Sequence, residues 1–299
     1  MRIDFTPHHL AIFLAVIRTG SFSRAAVECG LSQPALSRTI QAIEDALGQR
    51  LFDRTTRHLD LTPTGRELHP IAERLVTEFD SAFDELAEFI AGRRGRIVVA
   101  ALPSVCAVLL PRAIAAFRAD HPGVDVLIRD GLAGSVADAI TGGRADLGLT
   151  VRPLPEAHLS YRTLLADEFG LVCRADDPLA GSTPIPWAVF GTRNFIAMHP
   201  TSSVRAMTDA AFLQAGIAVR PLYECAFLGT TGNLVAAGLG ITALPRLTLP
   251  LTGAGGLAWR PLVEPSLQRA LGVLTRVGRT LSPAASQFVA VLASVAASA

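Results

Sequence analysis

Residues 32–54 of the chain read SQPALSRTIQAIEDALGQRLFDR. The Ser32 hydroxyl suits a helix N-cap, and Pro34 suits the first turn, where a missing N–H leaves no bond unmade. Leu36, Ile40, Ile43 and Leu47 recur at spacings of four, three and four, which predicts one apolar helical stripe. Gln33, Ser37, Arg38 and Gln41 fall off that stripe. They form a polar face whose side chains are able to pair with phosphates and base edges, Arg with guanine and Gln with adenine. Such a face is suited to the major groove of double-stranded DNA.

The flanking residues complete the unit. Ser21 or Ser23 can cap a short helix through Arg24–Cys29, and Gly30 ends it where a positive φ carries no steric cost. Ala25 and Ala26 let two helices approach closely. Upstream, Leu10, Phe13, Leu14 and Ile17 predict a helix that closes a three-helix core. Gly48 stops the recognition helix. Arg50 to Arg57 then read as a strand and wing tip, with Leu59 and Leu61 on the returning strand, so Arg54 and Arg57 are candidate phosphate contacts.

The ordered set Ser21-Phe22-Ser23-x-Ala25-Ala26, Leu31-Ser32-Gln33-Pro34-Ala35-Leu36-Ser37, Leu47-Gly48-x-x-Leu51-Phe52 and Leu61-Thr62-Pro63-x-Gly65 resembles the LysR-type transcriptional regulators. A bare helix-turn-helix pattern is weakly specific; this ordered series is far more so. The resemblance implies a multidomain chain: an all-α winged helix-turn-helix head, a long linker helix, and a two-lobed α/β effector-binding domain of type 2 periplasmic-binding-protein architecture. It also implies a DNA-binding transcription factor that answers to a small-molecule effector, and dimers that assemble further into tetramers. Operator half-sites, the effector and a second copy are the expected partners, with RNA polymerase as a further contact open to such a regulator.

Composition narrows the class without deciding it. A chain of 299 residues accommodates about two domains. No apolar run approaches the ~20 residues that span a bilayer. The start Met1-Arg2-Ile3-Asp4 lacks the basic block and apolar core of a secretion signal, so a cytoplasmic location and no membrane partner are expected. Net charge is +1, and the 27 basic residues are all Arg. Residues 1–65 carry seven Arg against six acidic residues. Affinity for DNA must therefore come from local placement, at Arg38, Arg54, Arg57 and Arg24, and a single head with so few phosphate contacts binds weakly. Pairing two heads raises the effective concentration of each.

The following segment offers a means of pairing. Thr62 can cap and Pro63 open a helix that reaches about Ala91 and stops at Gly92. Leu68, Ile71, Leu75, Phe79, Ala82, Leu86 and Phe89 lie three or four apart, close to a coiled-coil seam with one slip. At 1.5 Å per residue this helix is roughly 40 Å long. Residues 66–91 hold seven acids and two Arg, a charge unsuited to lying along DNA. The expected division is therefore a head at 1–62, a linker helix at 63–91 and an effector domain at 92–299.

Residues 92–299 alternate strand and helix signals: a strand over 96–101, a helix from Leu109 to Ala119 broken early by Pro111, and a strand over 124–128. A helix over 135–141 and a strand over 146–150 follow, with further strand signals at 170–173, 194–197 and 238–245. The alternation predicts mostly parallel sheet with helices on both faces, in two lobes. Leu109-Leu110-Pro111, Phe117-x-x-x-His121-Pro122, Gly143-x-x-Asp146, Asp177-Pro178-Leu179-Ala180 and Gly238–Pro245 are similar to the effector domain of the same family. Asp177 stands where a His is usual. The resemblance implies a first lobe at 93–164 plus 269–299 and a second at 168–265, with 269–283 as the returning strand and the start of the last helix.

Ligands of open α/β sheets lie beyond the carboxyl ends of strands, where helix N-termini favour anions. Three loops qualify: Leu102–Cys106, His199–Ser203 and Gly229–Gly232. The family resemblance makes Ser104, Thr201, Ser202, Ser203 and Thr230 the candidate effector contacts, and a small carboxylate the favoured ligand; plain helix capping is the competing role for each. Arg152 and Arg205 are candidate sources of positive charge.

Cys29, Cys106, Cys173 and Cys225 are too scattered for zinc spacing, and no metal or cofactor is expected. Cys106, beside the expected cleft, admits a redox role as in peroxide-sensing members of the family, against the commoner role of a packed thiol. Ser104 and His121 belong on paper to a hydrolase triad, but the chain has no Gly-x-Ser-x-Gly elbow and no Gly-x-Gly-x-x-Gly turn, so no catalytic residue is expected. A pure solute-binding protein would lack residues 1–91 and carry an export signal.

Overall fold

The structure is a computed structural model that describes residues 5–54, 59–154, 156–182 and 184–298. The chain forms two compact units, Met1–Glu88 and Phe89–Ala299.

In the first unit, α1 (Pro7–Thr19), α2 (Phe22–Glu28) and α3 (Gln33–Leu47) precede β1 (Phe52–Arg54), β2 (Leu59–Leu61) and α4 (Pro63–Ile90). Ser21 is the cap of α2, accepting from the Arg24 N–H, and Ser32 caps α3 by accepting from the Ala35 N–H at 3.3 Å. Leu36, Ile40 and Ile43 are fully buried against Phe13, Val16, Ala25 and Ala26. The buried carboxylate of Glu44 accepts from the Leu51 N–H at 2.7 Å and more weakly from that of Phe52, tying the start of the wing to α3. β1 and β2 pair antiparallel, Phe52 opposite Leu61. Thr62 holds the turn into α4 by donating to the Arg50 carbonyl and accepting from the Gly65 N–H. A Cβ at Gly65 would stand 2.3 Å from the Leu51 carbonyl oxygen, so only glycine permits that approach. Along α4 the predicted seam emerges into solvent: Leu68 is buried, whereas Ile71, Leu75, Phe79, Leu86 and Phe89 are exposed.

In the second unit, β3 (Arg94–Ala101), α5 (Pro103–Asp120), β4 (Gly123–Asp130), α6 (Ala133–Thr141) and β5 (Leu147–Val151) build a βαβ series. β3 lies parallel to both β4 and β5. The long β6 (Leu159–Arg174) then crosses the unit. Beyond it lie β7 (Ile185–Pro186), β8 (Phe195–Met198), α7 (Ser203–Gln214), β9 (Pro221–Cys225), α8 (Leu228–Ala236), β10 (Thr242–Pro245), β11 (Leu257–Val263), β12 (Gln268–Arg276) and α9 (Pro283–Ala297). The first half of β6 pairs with β12, and its second half with β10 and β11. Two cores result. One joins Ile97, Val99, Leu109, Phe117, Leu147 and Phe288; the other joins Phe169, Trp187, Phe190, Ile196, Phe212 and Val235.

Three sequence expectations are corrected here. The sheet is mixed and not mostly parallel, since β12 runs antiparallel to β5 and β6, and β10 and β11 run antiparallel to β6. Gly229–Gly232 is not a loop before a helix but lies within α8. α5 is continuous over 18 residues from Pro103 and is not broken at Pro111. Pro103 takes the first helical position, and Leu109, Leu110, Ala113 and Phe117 bury one side along the later turns. That burial outweighs the one backbone bond Pro111 lacks.

Candidate functional site

On α3 the residues expected to read DNA lie opposite the buried stripe. Ser32, Gln33, Pro34, Arg38 and Gln41 are exposed, and Ser37 is half-buried. The Gln33 amide donates to Ser37 at 3.3 Å and that of Gln41 to Asp45 at 2.8 Å, one turn on. Among the described residues no carboxylate pairs with Arg38. Its guanidinium is therefore available to an external acceptor. Arg54 closes β1 by its backbone, and Arg57 lies outside the described residues.

In the second unit a cavity of about 270 Å³ lies between the two cores. The N-terminal ends of α5, α7 and α8 reach it, contributing Pro103 and Ser104, Ser202, Ser203 and Val204, and Leu228 and Gly229. Leu102, Leu132, Met198, Phe227 and Leu251 supply an apolar wall. Ser202 caps α7 by accepting from the Val204 N–H at 3.2 Å. Ser104, Ser202 and Ser203 thus meet in one place. Thr201 and Thr230 do not line the cavity: Thr201 bonds His199 Nδ1 at 2.9 Å, and Thr230 is exposed on α8.

The charged group of this cavity escaped sequence reading. Arg269, only 3% exposed, lines it from the start of β12. Its Nη2 lies 2.7 Å from Asp167 Oδ2 and donates to Ser104 Oγ at 2.8 Å, while Nε donates to Asp167 at 2.9 Å. Asp167 Oδ1 accepts from the Leu247 N–H, in the 3₁₀ turn Arg246–Leu251 that also gives Thr248 and Leu251 to the wall. Burial pushes the Arg269 guanidinium below its ordinary value, and the charge and hydrogen bond of Asp167 oppose that. Arg269 and Asp167 face one another across the β6–β12 ladder. No periodicity marks such a pair; a charged residue opening an apolar strand, RALGVL, was the available signal.

The two arginines considered from sequence stand elsewhere. Arg205 donates to Asp209 and Glu224, which raise its pKa, and Arg152 lies 5.1 Å from the Tyr161 ring centroid. Ser104 has an arginine for a partner, which is no proton acceptor, and His121 instead bonds the Gly92 carbonyl and stacks on Phe117. Ser104 and His121 therefore do not bond one another. Burial first, and then the charge of Asp130, push the Cys106 thiol up to about 11, against a smaller opposing backbone hydrogen bond.

A helix-turn-helix head joined to a two-core α/β unit with a cavity between the cores agrees with what comparison finds. The LysR substrate binding domain matches residues 91–297, and the bacterial regulatory helix-turn-helix protein, lysR family, matches residues 7–66. The chain belongs to the LysR family. As a LysR-type regulator it is a DNA-binding transcription factor with an effector-binding domain, and not an enzyme. The LysR-type regulator is 32% identical over 280 residues to the uncharacterized HTH-type transcriptional regulator YbhD of Escherichia coli, covering 94% of this chain and 88% of that one. It is 30% identical over 272 residues to a probable hydrogen peroxide-inducible genes activator of Streptomyces viridosporus, covering 90% and 87%. In fold it is similar to full-length CbnR complexed with its target DNA, at a TM-score of 0.76 and 20% identity over 98% of this chain and 100% of that one. Full-length OxyR from Pseudomonas aeruginosa gives 0.74 and 21% over 98% and 100%. Among the described residues no helix is long and apolar enough to cross a membrane.

Proposed function

We propose that this regulator reads operator half-sites with α3 and answers to a small carboxylate held between the two cores of its second unit. The observation that carries the reading is the cavity itself, bordered by three helix N-termini and one buried guanidinium. In the head, Gln33, Ser37, Arg38 and Gln41 meet base edges. Ser32, Pro34, Arg54 and Arg57 meet the sugar–phosphate backbone. In the cleft, Ser104, Ser202 and Ser203 meet the effector. The division into head 1–62, linker 63–91 and effector domain 92–299, with lobes at 93–164 plus 269–299 and at 168–265, follows from this assignment. The exposed stripe Ile71, Leu75, Phe79 and Leu86 on α4 seats the same helix of a second copy. Tetramers, a contact with RNA polymerase and a cytoplasmic location complete the proposal.

Two variants test it. Arg38→Ala removes sequence preference in a competition assay with operator and random DNA; an unchanged preference dismisses the α3 assignment. Ser202→Tyr fills the cavity, keeps operator binding and abolishes the response of a reporter to its inducing growth condition. A normal response removes Ser202 from the effector site.

A further inference from the structure

The cavity holds one buried charge and no opposite one of its own. Its lining residues include Arg269 but neither Asp nor Glu. Arg269 uses Nε and Nη2 on Asp167 and Ser104, and among the described residues Nη1 has no hydrogen-bond partner. Ser104, 2% exposed, accepts from Arg269, which leaves its own O–H to donate. Ser202 likewise accepts from a backbone N–H and keeps its O–H. Arg269, Ser104 and Ser202 thus offer donors, the two serines at the start of α5 and α7, where backbone N–H groups add to them, while Thr248 spends its O–H on the Pro245 carbonyl. Leu102, Leu132, Met198, Phe227 and Leu251 supply the apolar part of the lining.

We infer that Arg269 determines effector specificity, selecting a compact monoanion with an apolar body and no amino group. This rests on the reading of the cavity as the effector site. A single carboxylate meets Arg269 Nη1 and the Ser104 hydroxyl, and its body lies on the apolar wall. An α-amino acid brings an ammonium for which the lining offers no carboxylate. A dianion brings a second charge that must be desolvated against Leu and Phe side chains. Asp167, behind the guanidinium, already neutralises it, so one further negative charge is matched by hydrogen bonds and helix ends, and two are not. The volume of about 270 Å³ admits a body the size of one ring or a short chain.

The test uses the full chain with five probes: benzoate, hexanoate, benzamide, phenylalanine and phthalate, read by thermal shift and titration calorimetry. Benzoate or hexanoate is expected to bind, with benzamide, phenylalanine and phthalate weaker by at least about tenfold. The double variant Arg269→Gln/Asp167→Asn removes both charges together, so that neither is left buried alone, and is expected to lose a similar factor for the bound acid. Benzamide matching benzoate, phenylalanine outbinding both, or phthalate binding as tightly overturns the inference. So does a folded double variant with unchanged affinity. Because the probe series needs no substitution, a variant that fails to fold leaves the decision to the probes. Silence from all five also overturns it; the effector-site reading then stands or falls separately on whether Ser202→Tyr abolishes the reporter response.

Discussion

The polar face of α3 and the polar end of the cleft are made of similar side chains in opposite circumstances. Gln33, Ser37, Arg38 and Gln41 lie within nine positions, mostly in solvent, and Arg38 has no carboxylate partner among the described residues. Ser104, Asp167 and Arg269 come from α5, β6 and β12, with Ser104 and Arg269 separated by 165 positions; all three are buried, and Arg269 bonds both of the others. An exposed charge is held ready for a partner outside the chain and contributes little to the fold. A buried charge is part of the fold, and its availability to a ligand is limited to whatever its internal partners leave.

The sharpest way to break this contrast is to remove a charge from the buried set. Asp167→Ala leaves the guanidinium of Arg269 without its counter-charge and takes the acceptor from the Leu247 N–H. The expected loss is about 3–5 kcal/mol in the unfolding of the second unit. Denaturant titration followed by tryptophan fluorescence reads it, since Trp187 and Trp259 both lie in that unit. A loss under about 1 kcal/mol would mean that water reaches and screens the pair.

The next effect concerns chemistry at the cleft's edge. Moving the Cys106 thiol from its ordinary 9.0 to about 11 lowers the thiolate fraction near neutral pH by about 100-fold. Cys106 is therefore expected to resist iodoacetamide and hydrogen peroxide at pH 7.5, and its labelling to accelerate as pH rises toward 11. Mass spectrometry of the Cys106 peptide follows both. Labelling at the rate of an ordinary exposed thiol, or sulfenic acid at low peroxide doses, would instead give this cysteine a sensing role. The Streptomyces relative is named for peroxide induction; the setting of Cys106 supports no such role here.

What was legible in the sequence divides along the same line as the contrast. Leu36, Ile40, Ile43 and Leu47 repeat with the helical period, so α3 and its polar face were readable from nearest neighbours on one helix. The alternation of strand and helix placed most elements of the second unit, and the loops after β3 and β8 led to Ser104, Ser202 and Ser203. Thr201 sits on the expected loop and Thr230 in the first turn of α8, but neither lines the cavity, because an element's position does not determine the direction of each residue in it. Arg269 was invisible as a site residue. Its meaning depends on pairing with a strand 102 positions earlier, which no local pattern records. The length of α5 was misjudged for a related reason, since propensity at Pro111 is a weak term beside a buried face.

The smallest effect is the most discriminating for the head. Arg38 is exposed and has no salt bridge among the described residues, and its neighbours Leu36 and Ile40 alone face the core. Arg38→Ala should therefore change the stability of the head by no more than about 0.5 kcal/mol, while removing operator preference. Thermal unfolding of the variant beside the unaltered protein measures the first, and the competition assay the second. If stability falls by more than about 1 kcal/mol together with binding, Arg38 is bonded within the head, and its loss from DNA binding would report a damaged helix. If stability is unchanged and binding is lost, the side chain acts outward. That outcome separates a residue kept for a partner from one kept for the fold, which is the distinction drawn between α3 and the Arg269 pair.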